Sequence, residues 1–510
     1  MTHYSRYKIN LIAINPEGYS LSLGYLHAAL IKNKELQNKL DVRSFVYDVD
    51  EIGNPSYDFT NLLIEILENN PEIIVILVYS WNFELTKRIV EIVNHIRPQI
   101  KIILGGPQFY KANFLKDFSN FSSEIIVILG EAEDTLPTIV KSLIFGESII
   151  DIQGIAFKNK EKWIINPRNS PADLTKIPSP IQEKTLIYDP EKLFLYSTSR
   201  GCLYRCAYCL YHCSDCLWND GFGLRYFPLE VVKKDLEIIR KAGVKRIWFT
   251  DSIFGADEER YCKILDWLIE WDNNCKFAFE TRAEFLTPKL ISRFAKINIE
   301  WIALGIQSLT CKALQSVNRG CNTEKVIKRI DELRKALKNP EVIHLDLIFG
   351  LPGDSLEGTC RTIDWLYNRF PDVTFYFGVL RVLPGTKVWE QALKENWYIN
   401  SSCQFYELIE NKDFNFQDII TLKNIGLGLD FLQLESSRSW VREILNKTDM
   451  KYSDLCLMVG KYLRNKGYGK YHESYRYGQF DKIIGNNIKI IYKDLEKLIF
   501  TKGEKHESIN

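Results

Sequence analysis

Five short runs of nearly unbroken apolar and β-branched residues punctuate the first 150 positions: YKINLIAI (7–14), VRSFVYDV (42–49), EIIVILVYS (72–80), KIILGG (101–106) and EIIVILGE (124–131). Between them lie stretches with the spacing of an amphipathic helix, such as LGYLHAALIKNKELQ and FELTKRIVEIVNHI. Strands without polar alternation are buried on both faces, and helical connections between them imply a parallel, doubly wound, Rossmann-like sheet over residues 1–150. Ligands of such a sheet bind beyond the carboxyl ends of its strands. Gly105 and Gly106 end the fourth run and Gly130 ends the fifth, so these loops form the candidate ligand edge. On spacing alone the same glycines read as tight turns.

A hairpin-like piece follows at 152–167, then a stretch with Pro171, Pro178 and Pro180 that reads as a linker, the two together filling 151–190. A second series opens with LFLYSTS (193–199) and continues through KRIWFTD (245–251), KFAFETR (276–282), WIALGIQ (301–307), HLDLIFG (344–350) and FYFGVLRVLP (375–384). Amphipathic helices separate these strands. Six β/α repeats predict a partial (β/α)6 barrel over 191–395, with its working groups at the carboxyl ends of the strands. From 396 to 510 the pattern is helical and rich in aromatics, and the tail from Lys502 is polar.

Composition adds exclusions. The chain is 46% hydrophobic and 26% charged, ordinary for a globular protein. Lys+Arg 66 against Asp+Glu 65 gives a net charge of +1, so no global field draws it to nucleic acid or to a membrane surface. The first residues, MTHYSRYKIN, lack the pattern of a signal peptide, and the apolar runs are too short to span a bilayer. A cytoplasmic location is expected. In such a setting the 12 cysteines are expected to serve metal or redox chemistry rather than disulfides.

Five of those cysteines fall between 202 and 216. Cys202, Cys206 and Cys209 leave the first barrel strand three and two residues apart, on a loop that can wrap one metal site. Four thiolates would close a zinc tetrahedron or saturate an iron–sulfur cube; three leave one iron of a [4Fe–4S] cluster open. Cys213 and Cys216 could extend the set toward zinc, but two thiols without further partners complete no site, and no cluster role is expected of them.

The Cys-x-x-x-Cys-x-x-Cys string after the first strand of a β/α barrel resembles the radical S-adenosylmethionine (SAM) superfamily. The resemblance implies a [4Fe–4S] cluster on Cys202, Cys206 and Cys209, with SAM on its open iron and a 5′-deoxyadenosyl radical as its product. It also implies Tyr208 near the adenine, and SAM contacts from Asp251, Glu280, Arg282, Gln307 and Arg319 at the strand ends. The N-terminal domain is similar to the B12-binding domains of one class of that superfamily, on Gly105-Gly106-Pro107, Gly130-Glu131-Ala132-Glu133 and Tyr79-Ser80-Trp81-Asn82. Cobalamin is thus a candidate cofactor. No Asp-x-His-x-x-Gly string offers an axial histidine, so weak or absent binding is expected.

Two reactions follow from this resemblance. In size and domain order the chain resembles proteusin-type peptide epimerases, which implies conversion of L- to D-residues in a ribosomal precursor peptide, with a cysteine returning hydrogen. Cys403 is the positional candidate and Cys360 the second, while Cys262, Cys275 and Cys456 read as buried apolar residues. The alternative is a cobalamin-dependent C-methyltransferase. A flavodoxin- or ferredoxin-type electron donor is implied by either. The non-enzymatic alternative is a zinc-bound scaffold.

Overall fold

Neighbouring residues of the N-terminal strands enter different cores. Ile74 and Ile76 join one apolar cluster, while Ile73, Val75 and Leu77 join another on the opposite face. This is the burial of a sheet covered on both sides, and it is why these strands carry no polar alternation.

The computed structural model describes residues 6–16, 19–49, 58–112, 114–121, 124–160, 162–211, 223–271, 275–400, 405–470 and 484–503. The N-terminal domain runs β1 (Tyr7–Asn15), α1 (Leu21–Lys32), β2 (Leu40–Asp48), α2 (Phe59–Leu67), β3 (Ile73–Leu77), α3 (Phe83–Ile96), β4 (Lys101–Gly105), β5 (Ile125–Ile128) and α4 (Thr135–Phe145). The hairpin β6 (Ile155–Asn159) and β7 (Lys162–Asn166) then adds antiparallel to β5. The sheet order is β2-β1-β3-β4-β5-β6-β7, so the hairpin completes this sheet and the N-terminal unit extends to Asn166. The strand order reverses beside β1, the place where such sheets open a crevice for a ligand.

The second domain starts at β8 (Leu193–Tyr196), followed by a two-residue antiparallel pair, β9 (Ser199–Arg200) and β10 (Arg225–Tyr226). Then come α5 (Leu229–Lys241), β11 (Arg246–Phe249), α6 (Glu258–Ile269), β12 (Lys276–Thr281), α7 (Pro288–Phe294), β13 (Ile299–Gln307), α8 (Cys311–Ser316) and α9 (Thr323–Ala336). The barrel ends with β14 (Ile343–Phe349), α10 (Leu356–Arg369), β15 (Thr374–Val379) and α11 (Lys387–Glu395). Its six parallel strands lie in sequential order, β8-β11-β12-β13-β14-β15, as the six repeats predict.

Here burial alternates. Phe194, Tyr196, Ile247, Phe249, Phe277, Phe279, Leu345, Leu347 and Phe349 are at most 2–3% exposed and pack into the core shared with the helices. Of the intervening residues, Ala278 is buried and the others are half-buried, lining the barrel interior. Each fully buried aromatic contributes about 1.5–3 kcal/mol, so a one-residue slip, which would turn a whole strand over, is strongly opposed. The short pair β16 (Tyr398–Ile399) and β17 (Leu408–Glu410) leads to α12 (Phe416–Leu432), α13 (Glu435–Lys447), α14 (Tyr452–Asn465) and α15 (Ile488–Gly503). Among the described residues, no helix is long and apolar enough to cross a membrane.

One expectation is corrected. Cys311 and Cys321 form a disulfide, with Cα atoms 5.4 Å apart, because the short helix α8 and the turn after it fold back on themselves.

Candidate active site

The loop that leaves β8 carries Cys202, Cys206 and Cys209, the second buried and the others half-buried. Backbone N–H groups of the loop point at two of the sulfurs: Tyr204 donates to Cys202 Sγ at 3.4 Å and Tyr211 to Cys209 Sγ at 3.5 Å. The middle of the loop is clamped through Ala207. Its N–H donates to the Val317 carbonyl (2.8 Å), and its carbonyl accepts from Val388 (3.0 Å). Asn318 Nδ2 donates to the Arg205 carbonyl at 2.9 Å. Among the described residues, no three Cys, His, Asp or Glu side chains come close enough together to hold a single metal ion. The three thiols could hold a cluster.

Arg319, 8% exposed, reaches this loop from the turn after α8. Its Nη1 lies 3.2 Å from the Tyr208 hydroxyl and 3.7 Å from Cys206 Sγ, while Nη2 donates to the Gly305 carbonyl. Burial pushes the Tyr208 phenol upward, with Arg319 opposing. Gly305 is open for a reason: a Cβ there would meet Gln307 Nε2 at 2.5 Å and Arg319 Nη2 at 3.2 Å. The register of β13 on β14 slips between Gly305 and Gln307, and Gln307 adopts φ +67. This bulge turns the Gln307 amide back over Gly305.

Glu280 on β12 and Asp346 on β14 face the barrel interior on either side of β13, where Ala303 and Gly305 leave room between them. Burial pushes the Glu280 carboxyl up to about 7. Burial, reinforced by Glu280 and opposed by Arg319, pushes Asp346 up to about 8. Below them the interior is floored by Trp248, Trp301 and His344, with ring centroids 5.2 and 6.0 Å apart. Burial lowers His344 to about 4, so this ring stays neutral at the bottom of the barrel.

Arg282, 6% exposed, pairs with Glu284 (2.6 Å) and lies 3.7 Å over the Tyr204 ring. Its Nε and Nη1 are buried without a hydrogen-bond partner. Two orphaned cationic donors beside the cysteine loop could take a carboxylate.

Asp251 behaves otherwise. It is fully buried and accepts from the Thr198 N–H (3.0 Å) and from the hydroxyls of Thr198 (2.6 Å), Ser199 (2.5 Å) and Tyr261 (2.9 Å). Its oxygens hold the chain just before the cysteine loop. Cys360 is half-buried. It lies on helix α10 beside α14, where burial pushes its thiol up to about 11. Cys403, Cys213 and Cys216 lie outside the described residues.

On the N-terminal side, loop 105–108 turns toward the barrel, and Gln108 Nε2 donates to the Tyr406 hydroxyl at 3.1 Å. Gly106 has φ +129, and a Cβ there would lie 2.3 Å from the Val78 carbonyl, so this glycine serves the fold itself. Gly105 differs: a Cβ would find Ile128 at an ordinary 3.5 Å. Gly130, at φ +105, sets off loop 131–133, whose two glutamates pair with Arg200.

Sequence reasoning missed Asp346, Arg200, Arg225 and Glu284. A carboxylate inside the otherwise apolar strand HLDLIFG was the available signal for Asp346. The arginines carried none, because ion pairing across domains has no local pattern.

The ligand edge of the N-terminal sheet is thus turned onto a cysteine loop at the mouth of a six-stranded barrel. Residues 8–140 match the B12 binding domain and residues 196–366 match the radical SAM superfamily. The chain thus joins an N-terminal B12 binding domain to a radical SAM domain. An uncharacterised methyltransferase of Pyrococcus horikoshii is 23% identical over 378 residues, 71% of this chain and 79% of that one. A putative methylthiotransferase of Methanocaldococcus jannaschii is 24% identical over 339 residues, 63% and 70% of the two chains. Among solved structures, the cobalamin-dependent radical enzyme OxsB shares the fold with TM-score 0.65 at 15% identity, over 98% of this chain and 80% of that one. The radical SAM methyltransferase TsrM of Kitasatospora setae, with tryptophan and a SAM analogue bound, superposes with TM-score 0.60 at 16% identity, over 77% of each chain. By their names, two of these are methyltransferases, one a putative methylthiotransferase and one a cobalamin-dependent radical enzyme.

Proposed function

We propose that the protein is a cobalamin-dependent radical SAM C-methyltransferase. The observation that carries this reading is that the N-terminal domain's ligand-edge loops are turned onto the cysteine loop and barrel mouth, through Gln108–Tyr406 and the Glu131/Glu133–Arg200 pairs. Groups held on the two domains would therefore meet over one cavity. When bound, a [4Fe–4S] cluster supplies the electron that cleaves SAM, and a corrinoid supplies a transferable methyl group.

In this reading Cys202, Cys206 and Cys209 hold the cluster. Arg282 offers its two unpartnered donors to the SAM carboxylate. Glu280 and Asp346 face the interior as acceptors for the ammonium or the ribose hydroxyls. Loops 105–107 and 130–133 present the corrinoid edge. The described histidines lie elsewhere: His27 bonds Ser44, His95 ends α3 and His344 floors the barrel. The described free thiols beyond the cluster set lie on α6, on α10, on α14 and just before β12.

Anaerobically reconstituted protein, incubated with reductant and SAM and assayed with and without hydroxocobalamin, tests the reading. The expected result is 5′-deoxyadenosine production together with S-adenosylhomocysteine that appears only with the corrinoid. Corrinoid-independent turnover that places deuterium from heavy water into a peptide would establish the epimerase instead.

A further inference from the structure

Both ends of the cysteine loop are tied to the N-terminal domain. Leu210, next after Cys209, packs against the core that fills one face of the N-terminal sheet. Arg200, two residues before Cys202, bonds Glu131 Oε1 through Nη1 at 3.1 Å and pairs with Glu133 through Nη2. Its flat face lies over Tyr25 and Phe227, 5.2 and 5.5 Å from the ring centroids.

A second guanidinium stands directly opposite. Arg225 is the cross-strand neighbour of Arg200 in the β9–β10 pair and shares Glu131, with Nη2 2.9 Å from Oε1. Like charges opposite one another on a strand pair repel. Glu131 cancels this by accepting from both, and the Ala172 N–H orients it at 2.7 Å. Two arginines and two glutamates balance in a site where their side chains are only 18%, 16%, 5% and 8% exposed. Domain adhesion also has an apolar component: Tyr19 packs on Phe194, and Gly24 sits against Leu186 and Pro180. A buried ion network is costly in desolvation and adds direction rather than adhesion.

We infer that Arg200 is a positioning residue that fixes the start of the cluster-bearing loop to loop 130–133 of the N-terminal domain, coupling the order of one to the order of the other. The inference rests on the cluster reading proposed above. Coupling of this kind is reciprocal, so whatever steadies loop 130–133 steadies the Cys202 end of the cysteine loop, and the reverse.

The test compares full-length wild type with Arg200→Gln, Glu133→Gln and the double variant. Glu300→Gln is the control, since it breaks the Arg246–Glu300 pair (2.9 and 3.0 Å) at the far end of the barrel strands. Hydrogen exchange of amides 202–211 is read in metal-free protein, and the electron paramagnetic resonance spectrum of the reduced cluster is read with and without SAM. Removing one partner of the buried pair should speed loop exchange at least about tenfold and alter the SAM-dependent spectrum. The double variant should be no worse than either single change, and Glu300→Gln should leave both readouts unmoved. Wild-type exchange and spectra in the variants, or the same change in Glu300→Gln, would overturn the inference. Should Arg200→Gln fail to fold, Glu133→Gln alone decides, since it leaves Arg200 bonded to Glu131. A wild-type protein that assembles no cluster would sink the cluster reading, and the exchange data would still judge the loop coupling.

Discussion

Arg319 and Cys206 lie 113 residues apart in the chain and 3.7 Å apart in space, with the guanidinium Nη1 directed at the sulfur. The same side chain also spans to the Gly305 carbonyl on β13 and to the Tyr208 hydroxyl. It joins the cysteine loop to the opposite side of the barrel mouth.

Arg319→Gln should therefore weaken the loop and the strand end together. Leaving a buried carbonyl without its donor costs about 1–3 kcal/mol. Iron retained per chain after anaerobic reconstitution should fall, and Arg319→Lys should not restore it, because an ammonium cannot reproduce the two-pronged contact. Wild-type iron content in Arg319→Lys would show that charge alone suffices.

The carboxyls of Glu280 and Asp346 titrate higher in the folded protein, at about 7 and about 8, than the ordinary 4.5 and 3.8 of an open chain. Between those limits the folded state binds the extra protons, so stability falls as pH rises from about 4 to about 8 and then levels off. The melting temperature of metal-free wild type should drop across this window. The drop should be smaller in the Glu280→Gln, Asp346→Asn double variant. Equal drops in both proteins would refute the assignment.

Two adjacent glycines should respond differently to alanine. Gly106→Ala forces a Cβ to 2.3 Å from the Val78 carbonyl at φ +129, and it should cost about 1–3 kcal/mol in a denaturation experiment. Gly105→Ala meets only ordinary contact with Ile128 and should leave stability nearly unchanged. If the corrinoid edge lies there, Gly105→Ala should still lower the corrinoid retained on purification.

The Cys311–Cys321 disulfide closes a loop with sequence separation 10, within which lie Val317, Asn318 and Arg319, the residues that clasp the cysteine loop. Loop closure of this length is worth roughly 2–3 kcal/mol. Alkylation followed by mass spectrometry should trap two additional thiols only after reduction, with a matching fall in stability. Trapping of both without reductant would refute the pairing.

The sequence alone determined the secondary structure and much of the architecture. Runs such as EIIVILVYS have one low-energy use, a strand covered on both faces, and β3 and β5 are buried throughout. The six barrel strands were legible for the same reason, since periodicity is set by near neighbours. The spacing of Cys202, Cys206 and Cys209 was legible because one short loop carries all three.

Partner choice was decided only by the tertiary structure. Asp251, Glu280 and Arg282 all read as polar strand ends suited to SAM. The fold surrounds Asp251 with four donors, leaves Arg282 with two orphaned N–H groups, and sets Glu280 across the barrel interior from Asp346. Cys360 reads as a free thiol, and packing places it on helix α10 beside α14. Arg200 meets Glu133 across 67 residues of chain and a domain boundary. A buried charge takes whichever partner the packing brings within reach, and that reach is measured in ångströms through space, not in residues along the chain.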